Sequence, residues 1–305
     1  MGAHYTGAVM GMPFASGSIR LWPALISLSI LTVLGATFLS HGVQQTVGLH
    51  VVSAHRVDAR MLIVIELGAF FLTTIYTYAK VPTSTIQIVV FCIIGAATSS
   101  GIPVHWATVG MLAVVWVLAP PASALLAFAF TRGLDLVLSQ EVRSRPARLP
   151  LLLPRLLVFV GLVASLALGA NDVSNAVGVW SSIHLGSYLI AGLVGGVAMG
   201  IGALTWGQRI LNRVAFDIVK LDLPMASAAQ LVQAVVILLA VSQGLFTSMN
   251  QALIGAMAGA GLARGRQTVN RSVLYGILKG WAISPISGFA LCFLLNRLLI
   301  ITAGP

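Results

Sequence analysis

Apolar runs of membrane-spanning length follow one another along most of this chain. Leu21 to Leu39, Met61 to Ala79 and Trp106 to Phe130 are the first three. A helix needs about 20 apolar residues to cross the hydrocarbon core of a bilayer. Only 8% of the 305 residues are charged, against about 25% in an average soluble domain. The sequence therefore predicts an all-α, polytopic protein of the lipid bilayer, with about ten membrane segments.

Basic residues outnumber acidic ones by 17 to 7 and are scattered between the apolar runs. Lys and Arg concentrate in cytoplasmic loops of membrane proteins, so we interpret this charge as topology and expect no nucleic-acid partner. Residues 132–155 are rich in Arg and Pro and predict a basic cytoplasmic linker. The linker separates a first membrane repeat, residues 21–131, from a second, residues 156–305. Residues 1–20 lack the basic start of a signal peptide and are predicted to be an N-terminal tail.

One polar stretch is costly for a membrane: Gly169-Ala170-Asn171-Asp172-Val173-Ser174-Asn175-Ala176-Val177-Gly178. An acidic side chain at the centre of a membrane helix costs about 2.5–3.5 kcal/mol on insertion scales. Asn171 and Asn175 are four residues apart, so a helix presents both on one face, beside Asp172. Polar packing between helices is one explanation of such a group. We favour a functional site, because intramembrane carboxylates mark ion and substrate pathways.

Two apolar runs are too short to cross the membrane alone, Ile86 to Ala97 and Ala252 to Leu262. Each follows a polar break, and the breaks align without gaps, residues 82–87 with residues 246–251. Paired broken helices at matching positions of two halves indicate the midplane site of a transporter with inverted-topology repeats. The N-terminus of each half-helix has free N–H groups and a positive dipole end, which suit an anion.

The first half has a candidate counterpart of the polar stretch at His41 to Gly48. An ungapped alignment pairs Val43, Gln45, Val47 and Gly48 with Val173, Asn175, Val177 and Gly178. His41 then stands where Asn171 does, and Gly42 stands where Asp172 does. The first stretch is thus predicted to lack its acid. His41 is either a packed neutral side chain or a possible proton carrier.

The stretch from Gly169 to Gly178 resembles the signature of the inorganic phosphate transporter (PiT) family, which includes sulfate permeases. Thr205-Trp206-Gly207 and Gly261-Leu262-Ala263-Arg264-Gly265 support the resemblance, which extends from about Leu21 to Leu299. The resemblance implies an inverted-repeat fold with broken helices, a homodimer, and phosphate uptake driven by sodium ions or protons. The family has its signature in both halves, so the first repeat of this chain is degenerate.

The resemblance also implies the site residues. Asn171, Asp172 and Asn175 lie near the bound anion and cation, and hydroxyls of the two breaks, those of Ser84, Thr85 and Ser248, line the anion site. Asp172 and the two amide oxygens form a site for a sodium ion, or Asp172 accepts a proton. We expect no other metal and no cofactor.

The sequence therefore predicts a secondary transporter of an inorganic oxyanion, most readily phosphate, in a prokaryotic plasma membrane. Two alternatives stay open, a sulfate permease of the same family and a divergent membrane partner subunit that no longer transports. An enzyme is not expected, because the sequence has no nucleophile–base pair and no phosphate-cradling Gly loop. The two cysteines lie in apolar runs and predict no disulfide framework.

Overall fold

The computed structural model describes residues 1–53, 57–79, 81, 83–144, 149–183, 187–214, 222–265 and 271–303, and their regular structure is helical apart from one bridge between Val52 and Val104. The first half contains α1 (Gly2–Ala15), α2 (Leu21–Phe38), α3 (His41–Gln45) with a π-helical turn (Thr46–His50), α4 (Ala59–Tyr78), α5 (Thr85–Ser99) and α6 (Trp106–Ser144). The second half contains α7 (Leu149–Leu168) with a π-helical turn (Gly169–Val173), α8 (Ser174–Val177) with a 3-10 turn (Gly178–Ile183), α9 (Tyr188–Val214), α10 (Leu223–Ser242), α11 (Met249–Arg264) and α12 (Arg271–Ala303).

Within the described ranges, seven helical spans are long and apolar enough to cross a membrane. They are Leu21–Phe38, Ala59–Tyr78, Trp106–Ser139, Leu151–Trp180, Tyr188–Arg209, Leu223–Ser242 and Leu278–Thr302. The shorter helices α1, α5 and α11 lie among them and are largely buried. The chain is therefore an all-α, multi-pass membrane protein.

The short helices α5 and α11 each pack on the long last helix of the opposite half. In α5, Gly95 lies directly against the backbone of Phe289 in α12. In α11, Gly259 lies in the same way against the backbone of Ala124 in α6. Neither glycine has room for a Cβ atom, so the helix axes approach closely, as small residues allow in membrane proteins. This exchange brings the starts of α5 and α11 together inside the molecule.

Two further glycines identify the corresponding segments of the two halves. A Cβ atom on Gly2 of α1 would collide with the carbonyl of Met199 in α9, and one on Gly169 would collide with the carbonyl of Thr32 in α2. The contact of α1 with α9 therefore mirrors the contact of the Gly169 turn with α2. The spacing agrees, because 82 residues separate Gly2 from Ser84 and 79 separate Gly169 from Ser248.

The first-half counterpart of Gly169–Gly178 is consequently Gly2–Gly11, and the prediction that placed it at His41 to Gly48 was wrong. The segment from His41 forms α3 and the turn after it, where Gly42 packs against Gly244. The alignment that favoured it rested on scattered valine and glycine matches. With the corrected correspondence, His4 stands in the place of Asn171 and Tyr5 in the place of Asp172.

The prediction of an N-terminal tail at residues 1–20 was also wrong. The side chains of Tyr5, Val9 and Met10 in α1 are fully buried, and α1 packs on α9 and α7. Because surrounding helices shield it from lipid, α1 needs neither the length nor the strong hydrophobicity of a spanning helix.

The predicted linker at residues 132–155 is mostly helical. Helix α6 continues through Arg132 to Ser144 and α7 begins at Leu149, so residues 145–148 are the part of the linker outside the described residues. Pro150 is tolerated in the first turn of α7, where backbone N–H groups have no helical partner. The predicted boundary between residues 131 and 132 therefore falls inside α6.

Candidate functional site

The starts of α5 and α11 meet at the centre of the described structure. Ser84 caps α5 by accepting a hydrogen bond from the N–H of Gln87, and Ser248 caps α11 by accepting one from the N–H of Gln251, both at 3.3 Å. The Gln251 side chain donates to the Gln87 side chain at 3.4 Å. Because each serine oxygen accepts from its own helix, each hydroxyl proton is available to donate to an anion.

Asn171 holds the second break in place. Its side-chain nitrogen donates to the carbonyl of Thr247 at 2.8 Å, and its side-chain oxygen accepts from the N–H of Thr247 at 3.2 Å. The same nitrogen donates to the Asp172 carboxylate at 2.9 Å. Both N–H groups of the amide are thus used within the protein, so Asn171 positions the break and Asp172. Its side-chain oxygen accepts one hydrogen bond and keeps a second lone pair, which leaves the predicted contact to a cation open.

Two oxygens of the polar stretch lack a hydrogen-bond partner among the described residues, Oδ1 of Asp172 and Oδ1 of Asn175. Both side chains are buried, and the Asn175 nitrogen donates to the main-chain oxygen of Asn171 at 2.6 Å. A buried polar atom without a partner costs about 1–3 kcal/mol, so such atoms need an explanation. A carboxylate and an amide oxygen one helical turn apart are ligands that a hard cation prefers.

The threonine before each capping serine has a buried hydroxyl that finds no partner within the described ranges. These threonines, Thr83 and Thr247, occupy equivalent positions in the two breaks. The pair joins Ser84, Ser248 and two helix N-termini, so donors for an anion surround the point where α5 and α11 meet. Neither threonine was predicted as a site residue, although each directly precedes one.

Helix α1 brings two side chains to the same place. The Tyr5 hydroxyl forms a hydrogen bond with the hydroxyl of Thr85, and it is an electrostatic neighbour of the Asp172 carboxyl. The two ring nitrogens of His4 contact the Thr77 hydroxyl at 2.9 Å and the Asn250 side-chain nitrogen at 3.1 Å. Asn250 also donates to the carbonyl of Thr83 at 3.2 Å. His4 and Tyr5, which correspond to Asn171 and Asp172, therefore contact both breaks, His4 at Asn250 and Tyr5 at Thr85.

The predicted site residues thus separate into two groups. Those placed in the central cluster are Ser84, Thr85, Asn171, Asp172, Asn175 and Ser248. His41, the predicted possible proton carrier, lies outside it, because its exposed ring packs edge-on against Tyr188 with ring centroids 4.5 Å apart. The residues that the sequence did not indicate, His4, Tyr5, Thr83, Asn250 and Thr247, come from the supposed tail and from the breaks.

A pair of buried glutamines connects α1 to α11. Gln233 donates to the main-chain oxygen of Met249 at 3.2 Å, and Gln230 donates to Gln233 at 2.5 Å and to the main-chain oxygen of Ala8 at 3.3 Å. Buried hydrogen bonds of this kind fix the arrangement of the elements they join, although the side-chain oxygen of Gln230 has no partner among the described residues. The orientation of the α11 start is therefore coupled to α1.

The sequence of this chain is similar to those of known proteins. A model of the phosphate transporter family matches residues 1–153 and, again, residues 138–292. The first match begins at residue 1 and so includes α1. Two archaeal relatives named "Putative phosphate permease" match over almost their whole length. One from Methanocaldococcus jannaschii is 25% identical over 98% of this chain and 93% of its own, and one from Pyrococcus abyssi is 23% identical over 99% and 95%.

The fold is also similar to that of a solved protein. The structure described as the sodium-dependent phosphate transporter superimposes with a TM-score of 0.84, over 99% of this chain and 95% of that one, at 21% sequence identity. At this identity the likeness concerns the fold.

Proposed function

This chain belongs to the phosphate transporter family, and from that premise we propose that it is a secondary active transporter that moves inorganic phosphate with a coupling cation. Phosphate transport is the activity for which the family is described. We further propose inverted topology for the two halves, a homodimer, and a place in the plasma membrane of a prokaryote.

One observation carries the proposal: the starts of two half-helices meet beside the buried Asp172. An oxyanion that enters apolar surroundings needs hydrogen-bond donors, and the N-termini of α5 and α11 with their hydroxyls provide them. A negative charge beside a bound anion is unfavourable unless a cation accompanies both. The free oxygens of Asp172 and Asn175 would hold that cation, which couples its gradient to anion movement.

Sodium is the first candidate for the coupling ion, because carboxylate and amide oxygens suit a hard cation. A proton on Asp172 is the second. Sulfate is the alternative substrate, since both anions are tetrahedral and the donors described above bind either. Phosphate keeps a proton at neutral pH, and the unpartnered hydroxyl oxygens of Thr83 and Thr247 can accept it, which favours phosphate.

The test is uptake by the purified full chain in liposomes. Labelled phosphate and labelled sulfate are supplied separately, each with a sodium gradient, a proton gradient or neither. We expect saturable phosphate uptake that depends on a cation gradient. Uptake of sulfate alone would identify a sulfate permease, and uptake of neither anion would favour a partner subunit that does not transport.

A further inference from the structure

His4 and Tyr5 replace the Asn-Asp pair that the second half retains. The reciprocal contacts of Gly2 and Gly169 fix this correspondence, because the next positions along each helix are then equivalent. A tyrosine at the position of Asp172 brings no carboxylate to the first-half side of the site. The carboxylate of the second-half site therefore has no equivalent at this position of the first half.

The hydrogen bonds of His4 define the proton on its ring. The Asn250 side-chain nitrogen is only a donor, so Nε2 of His4 accepts and has no proton. The Thr77 hydroxyl donates to the carbonyl of Thr73 at 2.6 Å and thus accepts from Nδ1–H of His4. This network requires the neutral imidazole with its proton on Nδ1.

Adding a proton to Nε2 would place two hydrogen-bond donors, His4 Nε2–H and the Asn250 side-chain nitrogen, against each other. The Asn250 nitrogen, which also donates to the carbonyl of Thr83, would lose its acceptor on His4. Asn250 lies in the first turn of α11, and Thr83 lies just before α5. The protonation state of His4 is thereby linked to the contact between the starts of both half-helices.

The charged groups near His4 are few. Burial opposes a positive charge on His4 most strongly, and the Met1 amino group opposes it further. The Asp172 carboxyl interacts with that amino group and with Tyr5. The Tyr5 ring packs edge-on against His4 at 5.1 Å. The side chains that bind His4 from α4 and α11, Thr77 and Asn250, are neutral.

We propose that His4 binds a coupling proton that moves with the anion, in place of the cation that a first-half carboxylate would hold. The inference rests on the proposed transport function. An Nε2–H bond forms with a proton from water on one side of the membrane and breaks on the other side, and no electrons are exchanged. Negative charge brought by the anion stabilises the protonated imidazole while both are bound.

The experiment measures protons and anions together. The full chain is reconstituted in liposomes that contain a pH-sensitive dye, and labelled phosphate uptake is recorded with the dye signal. His4→Asn restores the second-half residue and cannot be protonated. We expect it to lose about one proton per phosphate and its response to a proton gradient, while its response to a sodium gradient persists.

Three further variants make the result decisive. His4→Gln keeps a donor and an acceptor in the side chain, so it replaces His4→Asn if that variant elutes abnormally on size exclusion. His105→Gln changes an exposed histidine outside the site and should keep the proton ratio. The double variant His4→Asn, Tyr5→Asp rebuilds the Asn-Asp pair, and we expect a steeper dependence of uptake on sodium concentration.

Several results would overturn the inference. They are a wild-type protein that moves no protons with phosphate, a His4 variant that keeps the wild-type proton ratio, and loss of that ratio in His41→Gln instead. Failure of the proposed function gives a different result, since the wild-type protein would then take up no phosphate.

Discussion

The segments Gly2–Gly11 and Gly169–Gly178 have the same packing and different chemistry. Both have a glycine pressed against a carbonyl of the neighbouring helix, at Met199 for Gly2 and at Thr32 for Gly169. The second segment then presents an amide and a carboxylate, and the first presents an imidazole and a phenol. A larger residue at either glycine would collide with the neighbouring helix. The side chains that face the site have no such packing constraint, so their chemistry can differ between the halves. The two halves of one fold therefore keep their architecture while their ligands differ.

The largest expected difference between the halves concerns Asp172 and its counterpart Tyr5. Asp172→Asn removes the carboxylate of the candidate cation site, and Tyr5→Phe removes one hydroxyl bond to Thr85. Coupling between two ligands is typically about 1–3 kcal/mol, so cation-stimulated uptake should fall roughly 5–150-fold in Asp172→Asn. Tyr5→Phe should retain most of it. Equal losses in labelled uptake would contradict the assignment of the cation to the second half.

Loss of the Asn171 side-chain amide should destabilise the protein more than loss of the Asn250 side-chain amide. Asn171→Ala leaves the N–H and the carbonyl of Thr247 unpaired and buried, at a cost of about 1–3 kcal/mol for each group. Asn250→Ala removes one bond to the Thr83 carbonyl and its contact with His4. We expect a larger drop in melting temperature and in uptake for Asn171→Ala, measured on detergent-purified protein. A greater effect at Asn250 would show that the first break is the more dependent one.

Substitution of Gly2 and substitution of Gly169 by alanine should destabilise the protein by similar amounts. In Gly2→Ala and in Gly169→Ala the added methyl group meets backbone, and overpacking of this kind typically costs about 1–3 kcal/mol. Gly133→Ala in α6 is the control, because its Cβ would meet no atom within 4 Å and alanine favours a helix. Thermal unfolding in detergent should show similar losses for the first two and none for the control. Loss at only one of them would break the proposed equivalence.

The smallest and most symmetric effect is expected at the caps. Ser84→Ala and Ser248→Ala each remove one N-cap hydrogen bond, worth about 0.5–2 kcal/mol. Their melting temperatures should fall by similar amounts, and the apparent affinity for phosphate should weaken in both because each loses a donor. An affinity change in Ser248→Ala alone would place the anion nearer to α11.

Sequence was a sufficient guide where membrane energetics act on single residues. The apolar runs led to the spanning helices, and the cost of a buried carboxylate singled out Asp172. The aligned breaks led to Ser84 and Ser248, which cap equivalent helices. In each case the signal lies in one residue or one run of the sequence and needs no knowledge of distant contacts.

Sequence was a poor guide where the constraint is packing between distant segments. Gly2–Gly11 shares only Gly2, Ala3 and Gly11 with its counterpart, and small residues occur throughout membrane helices. His4 and Tyr5 have no signal of their own, because their role depends on Asn250 and Thr85, far along the chain. Helix α1 is too short and too weakly apolar to be recognised before the helices that cover it are known.

The exchange of short helices between the halves also has a consequence for biosynthesis. Helix α5 packs on α12, the last helix of the second half, and α11 packs on α6, the last helix of the first half. When α5 leaves the ribosome, α4 has been made but the surface of α12 that will cover it has not. We therefore expect α5 to have α4 as its main neighbour until the second half follows. Its packing can be complete only after α12 has been inserted.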